Sequence, residues 1–173
     1  TDIEFEPAYD NCIEAAFPSD KDIVMESIAA LKQITADNPV LTKCSWYNYS
    51  DDGALTEEFP GLLMQEVAKF DVKQLQEQLP DVVSRVEKLA AALEPMKPTE
   101  DDPKDYRFPH YMFLASIHAE LLRCRCYAKA LLKLLDLKQA EENGKLKKCT
   151  AKEFNAVKTE MINDFIAIGK LKR

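Results

Sequence analysis

The chain has 173 residues, of which 46% are hydrophobic and 31% are charged, and its formal net charge is −7 at pH 7. It has only four glycines, too few for the many turns of a hairpin-rich β fold. No apolar run approaches the roughly 20 residues that a membrane-spanning helix needs. The composition therefore favours an all-α fold with its own hydrophobic core and no membrane span.

The N-terminal residues predict two helices. Pro7 suits the first turn of a short helix that ends near Phe17, because the N–H that proline lacks would have no partner there. A second helix is predicted to begin after Ser19, a favourable N-cap, and to end before Pro39, because the residue preceding a proline resists the α conformation. Apolar residues at three- and four-residue intervals predict its buried face: Val24, Ile28, Leu31 and Ile34.

Residues 37–58 lack helical periodicity, and we expect them to form an irregular but ordered loop. Three aromatic residues lie close together in it: Trp46, Tyr47 and Tyr49. Long connections often carry function, and tryptophan and tyrosine are enriched among interface hot spots. Two interpretations stay open. The three side chains form part of a partner-binding surface, or Trp46 folds back as a lid over the core.

A helix is predicted from Asp71, which with Gln74 three residues later resembles a capping box. Its apolar residues keep their phase through Pro80, which favours a continuous, kinked helix over a break. It ends near Leu93. The following residues, 94–108, contain three prolines among acidic side chains and predict an irregular surface segment.

The longest predicted helix runs from Pro109 to Glu142 and would span about 50 Å at 1.5 Å per residue. Its apolar surface is so broad that we expect it to pack against several neighbours. Asn143-Gly144 predicts a left-handed cap at its end. The predicted polar arc consists of Glu120, Arg123, Tyr127, Lys133 and Asp136.

Thr150 and Glu153 form a second capping box, which opens a final helix. Together these elements predict an all-α fold. The expected architecture is a single domain, residues 1–173, built as a bundle of five to six helices with one long central helix at about 109–142. Segments 37–58 and 94–108 are its irregular parts.

The cysteines predict a reducing environment. Their number is odd and their spacing matches no disulfide framework: Cys12, Cys44, Cys124, Cys126 and Cys149. Cys124 and Cys126 would lie about 200° apart on a helix and could not bond to each other. Reduced cysteines favour the cytoplasm or nucleus. Secretion is the less favoured alternative, for which Asn48-Tyr49-Ser50 fits the glycosylation pattern.

Charge is distributed unevenly along the chain. Residues 1–108 carry 10 basic and 23 acidic side chains, a net charge of −13, whereas residues 109–173 carry 13 basic and 7 acidic, a net charge of +6. The basic residues predict an anion-binding group at Arg123, Arg125, Lys129 and Lys133 and a partner-binding cluster at Lys145, Lys147 and Lys148. The alternative is that basic helices pack beside acidic ones and their charges are partly compensated. The pI near 5.0 argues against a nucleic-acid partner.

The residues that could carry chemistry fit no familiar site. Neither His110 nor His118 has the glutamate three residues earlier that di-iron bundles use, and no cysteine or histidine pair has zinc-ligand spacing. We expect His118 to be a hydrogen-bonded structural histidine. Cys124 is six residues, or roughly 9 Å of helix rise, from His118, too far for proton transfer. The sequence predicts neither a metal site nor a cofactor.

Residues 131–135 match the Leu-x-x-Leu-Leu pattern of helices that dock into receptor grooves. Leu131 and Leu135 also continue the apolar face of the long helix. We therefore expect this segment to pack in the core rather than to dock.

The absence of a catalytic motif and the polarised charge favour a non-catalytic helical module that binds another protein, as an adaptor, regulator or complex subunit. The expected contact residues are Trp46, Tyr47, Tyr49, Lys145, Lys147 and Lys148. One alternative is a helical carrier of a lipid or other apolar ligand with an anionic headgroup. Another is an all-α enzyme with a dispersed active site.

Overall fold

The computed structural model describes residues 5–43, 69–96 and 109–144, together with eight helical positions between 152 and 163. Within these residues there are helices and no strand. The helices in chain order are α1 (Phe5–Ala16), α2 (Lys21–Asp37), α3 (Pro39–Lys43), α4 (Val72–Leu93) and α5 (Pro109–Glu142). A short 3-10 turn, Glu94–Met96, follows α4 directly. The predicted all-α bundle is confirmed, and its long helix begins and ends where the sequence predicts.

The start of α2 differs from the prediction in one detail. Its N-cap is Asp20 rather than Ser19, and Asp20 makes no side-chain cap hydrogen bond. The helix is joined to α1 by an exposed ion pair instead, in which Lys21 Nζ lies 2.6 Å from Glu14 Oε2. The predicted cap at Ser19 is therefore wrong.

The buried face of α2 also differs from the prediction. It consists of Val24, Ser27, Ala30 and Ile34. Ile28 and Leu31 are half-buried at its edge. Ser27 tolerates full burial because its hydroxyl donates to the carbonyl of Ile23 at 2.7 Å, so no polar atom loses its hydrogen bond.

The short helix α3 occupies the beginning of a segment expected to be irregular. Pro39 suits the first position of a helix, where its missing N–H costs nothing. Val40 and Leu41 are 0% and 3% exposed, so burial of two apolar side chains stabilises this turn. The predicted loop is wrong at Pro39–Lys43, and 44–58 lie outside the described residues.

The helix α4 forms as predicted. The side chain of Asp71 accepts hydrogen bonds from the backbone N–H groups of Lys73 and Gln74, at 3.0 and 3.2 Å, which confirms it as the N-cap. The helix continues without a break through Pro80, which is exposed. Of the predicted irregular segment 94–108, Glu94–Met96 form the 3-10 turn, and 97–108 lie outside the described residues.

Helix α5 is the centre of the bundle. It contacts α2, α3 and, most extensively, α4, which confirms the expectation of several neighbours. Buried side chains lie on more than one side of it, because Cys124 and Cys126, about 200° apart on the helix, are both buried. Tyr127, placed on the polar arc by sequence, is only 2% exposed, so that placement is wrong. Gly144 follows with a φ of +68°, as the predicted left-handed cap requires.

The buried side chains of α1 to α5 form one hydrophobic cluster. No helix in the described part of the chain is long and apolar enough to cross a membrane. Beyond Gly144, all eight described positions between 152 and 163 are helical, in agreement with the predicted final helix, whose ends lie outside the described residues.

Candidate functional site

The most unusual polar group in the core is the imidazole of His118. Its side chain is 3% exposed, and Nε2 lies 2.8 Å from Oε2 of Glu94, whose side chain is 60% exposed. Glu94 is the C-cap of α4, and His118 lies on α5. The contact therefore joins the C-terminal end of α4 to the N-terminal third of α5.

Two features of this contact explain why the histidine can be buried. An imidazole N–H can donate to a carboxylate whether the ring is neutral or charged, so Nε2 does not lose its hydrogen bond on burial. The carboxylate of Glu94 stands at the negative end of the α4 dipole, where a hydrogen-bond donor offsets the unfavourable interaction. His118 therefore contacts a carboxylate through Nε2, as a hydrogen-bonded histidine was expected to do, and its burial is deeper than predicted.

Three basic residues at four-residue intervals, Arg125, Lys129 and Lys133, lie along one side of α5, and we call them the basic ladder. Lys129 Nζ lies 2.7 Å from Oε1 of Glu87 on α4. Lys133 forms an ion pair with Glu160, in the C-terminal helical segment. Lys129 and Lys133 thus connect α5 to α4 and to the C-terminal helical segment.

Arg123 does not belong to the basic ladder. It precedes Arg125 by two residues, so it is rotated by about 200° around the helix. Its guanidinium pairs with Glu120 one turn earlier on the same helix. The structure therefore brings together three of the four residues predicted to bind an anion and places the fourth on another side of α5.

The ion pairs change how the charge asymmetry is interpreted. Three of the four predicted anion-binding residues, Arg123, Lys129 and Lys133, have glutamate partners. An anionic ligand would have to displace those carboxylates before it could bind there. Compensation of charge within the molecule, the alternative interpretation of the sequence, is what these contacts support.

The two α5 thiols lie in surroundings that oppose reactivity. Cys12, Cys124 and Cys126 form no disulfide, and of these three Cys12 is exposed while Cys124 and Cys126 are buried. The pKa of Cys124 is raised from 9.0 to about 11, chiefly by burial and to a smaller extent by the nearby Glu120, while Arg123 acts to lower it. Because the thiolate is the nucleophile, a thiol with this pKa is almost wholly protonated and unreactive near neutral pH.

The other sequence candidates divide into buried and undescribed residues. Leu131, Leu134 and Leu135 are at most 2% exposed, which confirms that the Leu-x-x-Leu-Leu segment packs in the core. The described residues contain no group of three or more histidine, cysteine, aspartate or glutamate side chains that could hold a metal ion. The predicted partner-binding residues lie outside the described residues: Trp46, Tyr47, Tyr49, Lys145, Lys147 and Lys148.

The carboxylate partners are the residues that sequence reasoning missed. Glu87 on α4, Glu94 at the C-cap of α4 and Glu160 in the C-terminal helical segment each contact α5. Their spacing contains no signal for these contacts, because each depends on which helices become neighbours. The only available signal was the count of opposite charges in the two parts of the chain.

Comparison with known proteins adds no relative. No family model, no curated protein and no solved structure matches the chain.

Proposed function

We propose that this chain is a non-catalytic helical module, a single domain that binds another protein as an adaptor, regulator or complex subunit. One observation carries the proposal. The imidazole of His118 and the charged ends of Lys129 and Lys133 are each engaged by a glutamate from another part of the chain. These groups hold helices together, and their partners leave them poorly placed to act on a substrate.

Both groups of predicted contact residues follow helices that contribute side chains to the core. Trp46 follows α3, whose Val40 and Leu41 are buried in the core. Lys145 follows Gly144, whose positive φ ends α5. Recognition residues are commonly carried by connections between the elements of a packed scaffold, and in the sequence both groups follow such elements. The reduced state of the three described cysteines favours the cytoplasm or nucleus as its compartment.

The two rival functions each meet a physical obstacle in the described helices. A carrier of a ligand with an anionic headgroup would have to exchange the Glu87 and Glu160 contacts of the basic ladder for the ligand. An enzyme using Cys124 would need a thiolate that burial suppresses, since its pKa is raised to about 11.

The test begins with affinity capture by the full chain from its source cell, followed by titration of the purified captured protein. Trp46→Ala should weaken that complex about 30-fold, the loss of a hot spot worth about 2 kcal/mol. The thermal midpoint of the free chain should stay nearly unchanged. A lowered midpoint with unchanged affinity would make Trp46 a lid over the core and would remove it from the interface.

The lysine cluster is tested with a charge-matched control. One variant replaces Lys145, Lys147 and Lys148 with alanine. The control variant replaces three exposed lysines of α2 and α4 with alanine, namely Lys32, Lys73 and Lys88. Both variants lose three positive charges, so a general electrostatic effect would weaken binding equally. Weaker binding confined to the first variant supports the proposal, and equal affinities in all forms would contradict it.

A further inference from the structure

We draw no further inference here: the strongest candidate, the buried His118 imidazole that meets Glu94 where α4 ends, is a contact between two core helices, and nothing in the described part of the chain shows a ligand or partner that it would serve.

Discussion

Glu94 and His118 lie 24 positions apart in the sequence, and their side chains meet at 2.8 Å although one is 60% exposed and the other 3%. The contact thus extends from solvent into the core. Lys129 and Glu87 make a second contact between the same two helices. Because the later residue of α4 meets the earlier residue of α5, the two helices run antiparallel.

Replacing Glu94 with glutamine should destabilise the protein by about 1 kcal/mol, because a charge-assisted hydrogen bond is exchanged for a neutral one at a partly exposed position. Replacing His118 with phenylalanine removes the other partner. In a double-mutant cycle measured by urea unfolding, the two changes should show a coupling of about 1 kcal/mol. Additive effects would mean that the 2.8 Å contact contributes nothing to stability.

Glu77→Gln provides the control for that cycle. Glu77 is exposed on the same helix, and substitutions at such positions usually change stability by less than about 0.5 kcal/mol. It should also show no coupling to His118→Phe. A coupling equal to that of Glu94 would point to a general effect of helix charge.

A charge swap tests the contact between Lys129 and Glu87. Glu87→Lys should destabilise the protein, because it places two ammonium groups where an ion pair stands at 2.7 Å. Adding Lys129→Glu should restore most of the lost stability. The coupling should be about 0.5 kcal/mol, typical of an exposed pair, and should shrink in 1 M salt. Urea unfolding at low and high salt measures it, and a coupling that salt leaves unchanged would contradict an electrostatic origin.

Several elements could be predicted because their signals are local. The cap at Asp71 depends on a carboxylate accepting N–H groups two and three residues later. The end of α5 depends on the ability of Gly144 to adopt a positive φ. Each requires only a few consecutive residues, so the sequence contains the whole cause.

The features that sequence analysis missed depend on which helices are neighbours. Hydrophobic periodicity gave α2 a face containing Ile28, but the structure buries Ser27 and leaves Ile28 at the edge. Hydrophobic periodicity does not reveal that a serine can pack in a core when its hydroxyl donates a hydrogen bond to a carbonyl of its own helix. It also placed Tyr127 among polar residues, because it cannot show that α5 packs against several helices, which contact more than one of its sides.

The predicted contact residues, such as Trp46, could be proposed from sequence only by residue type and by their place in a long connection. Of the predicted anion-binding group, helical geometry alone separates Arg123 from Arg125, because two residues correspond to a rotation of about 200°. The glutamate partners required knowledge of the fold.

Truncating Leu134 should test whether residues 131–135 belong to the core. Its side chain is 2% exposed, so Leu134→Ala should destabilise the protein by about 3 kcal/mol through lost burial and the cavity left behind. Leu132→Ala removes the same atoms from a half-buried position two residues away and should cost less, about 1 kcal/mol. Equal losses in urea unfolding would mean that Leu134 is no more buried than Leu132 in solution.

The thiol of Cys124 should make stability fall at alkaline pH. Its pKa in the folded protein is about 11, against 9.0 for an unperturbed thiol. Between these values the unfolded chain releases a proton that the folded chain retains. Fewer protons are then bound in the unfolded state, so the free energy of unfolding decreases as pH rises. The difference corresponds to at most about 3 kcal/mol, and none of it is lost below pH 8.

Other groups also titrate in this range, so Cys124→Ala is the reference that isolates the thiol. Urea unfolding of both proteins from pH 8 to pH 11 should give curves that converge, because only the wild-type chain carries the buried thiol. The wild-type protein should lose its stability advantage over the variant progressively above pH 9, where the free thiol in the unfolded chain ionises. Parallel curves across the whole range would show that Cys124 ionises equally easily in the folded and unfolded chains. That result would contradict the burial of its thiol in the core.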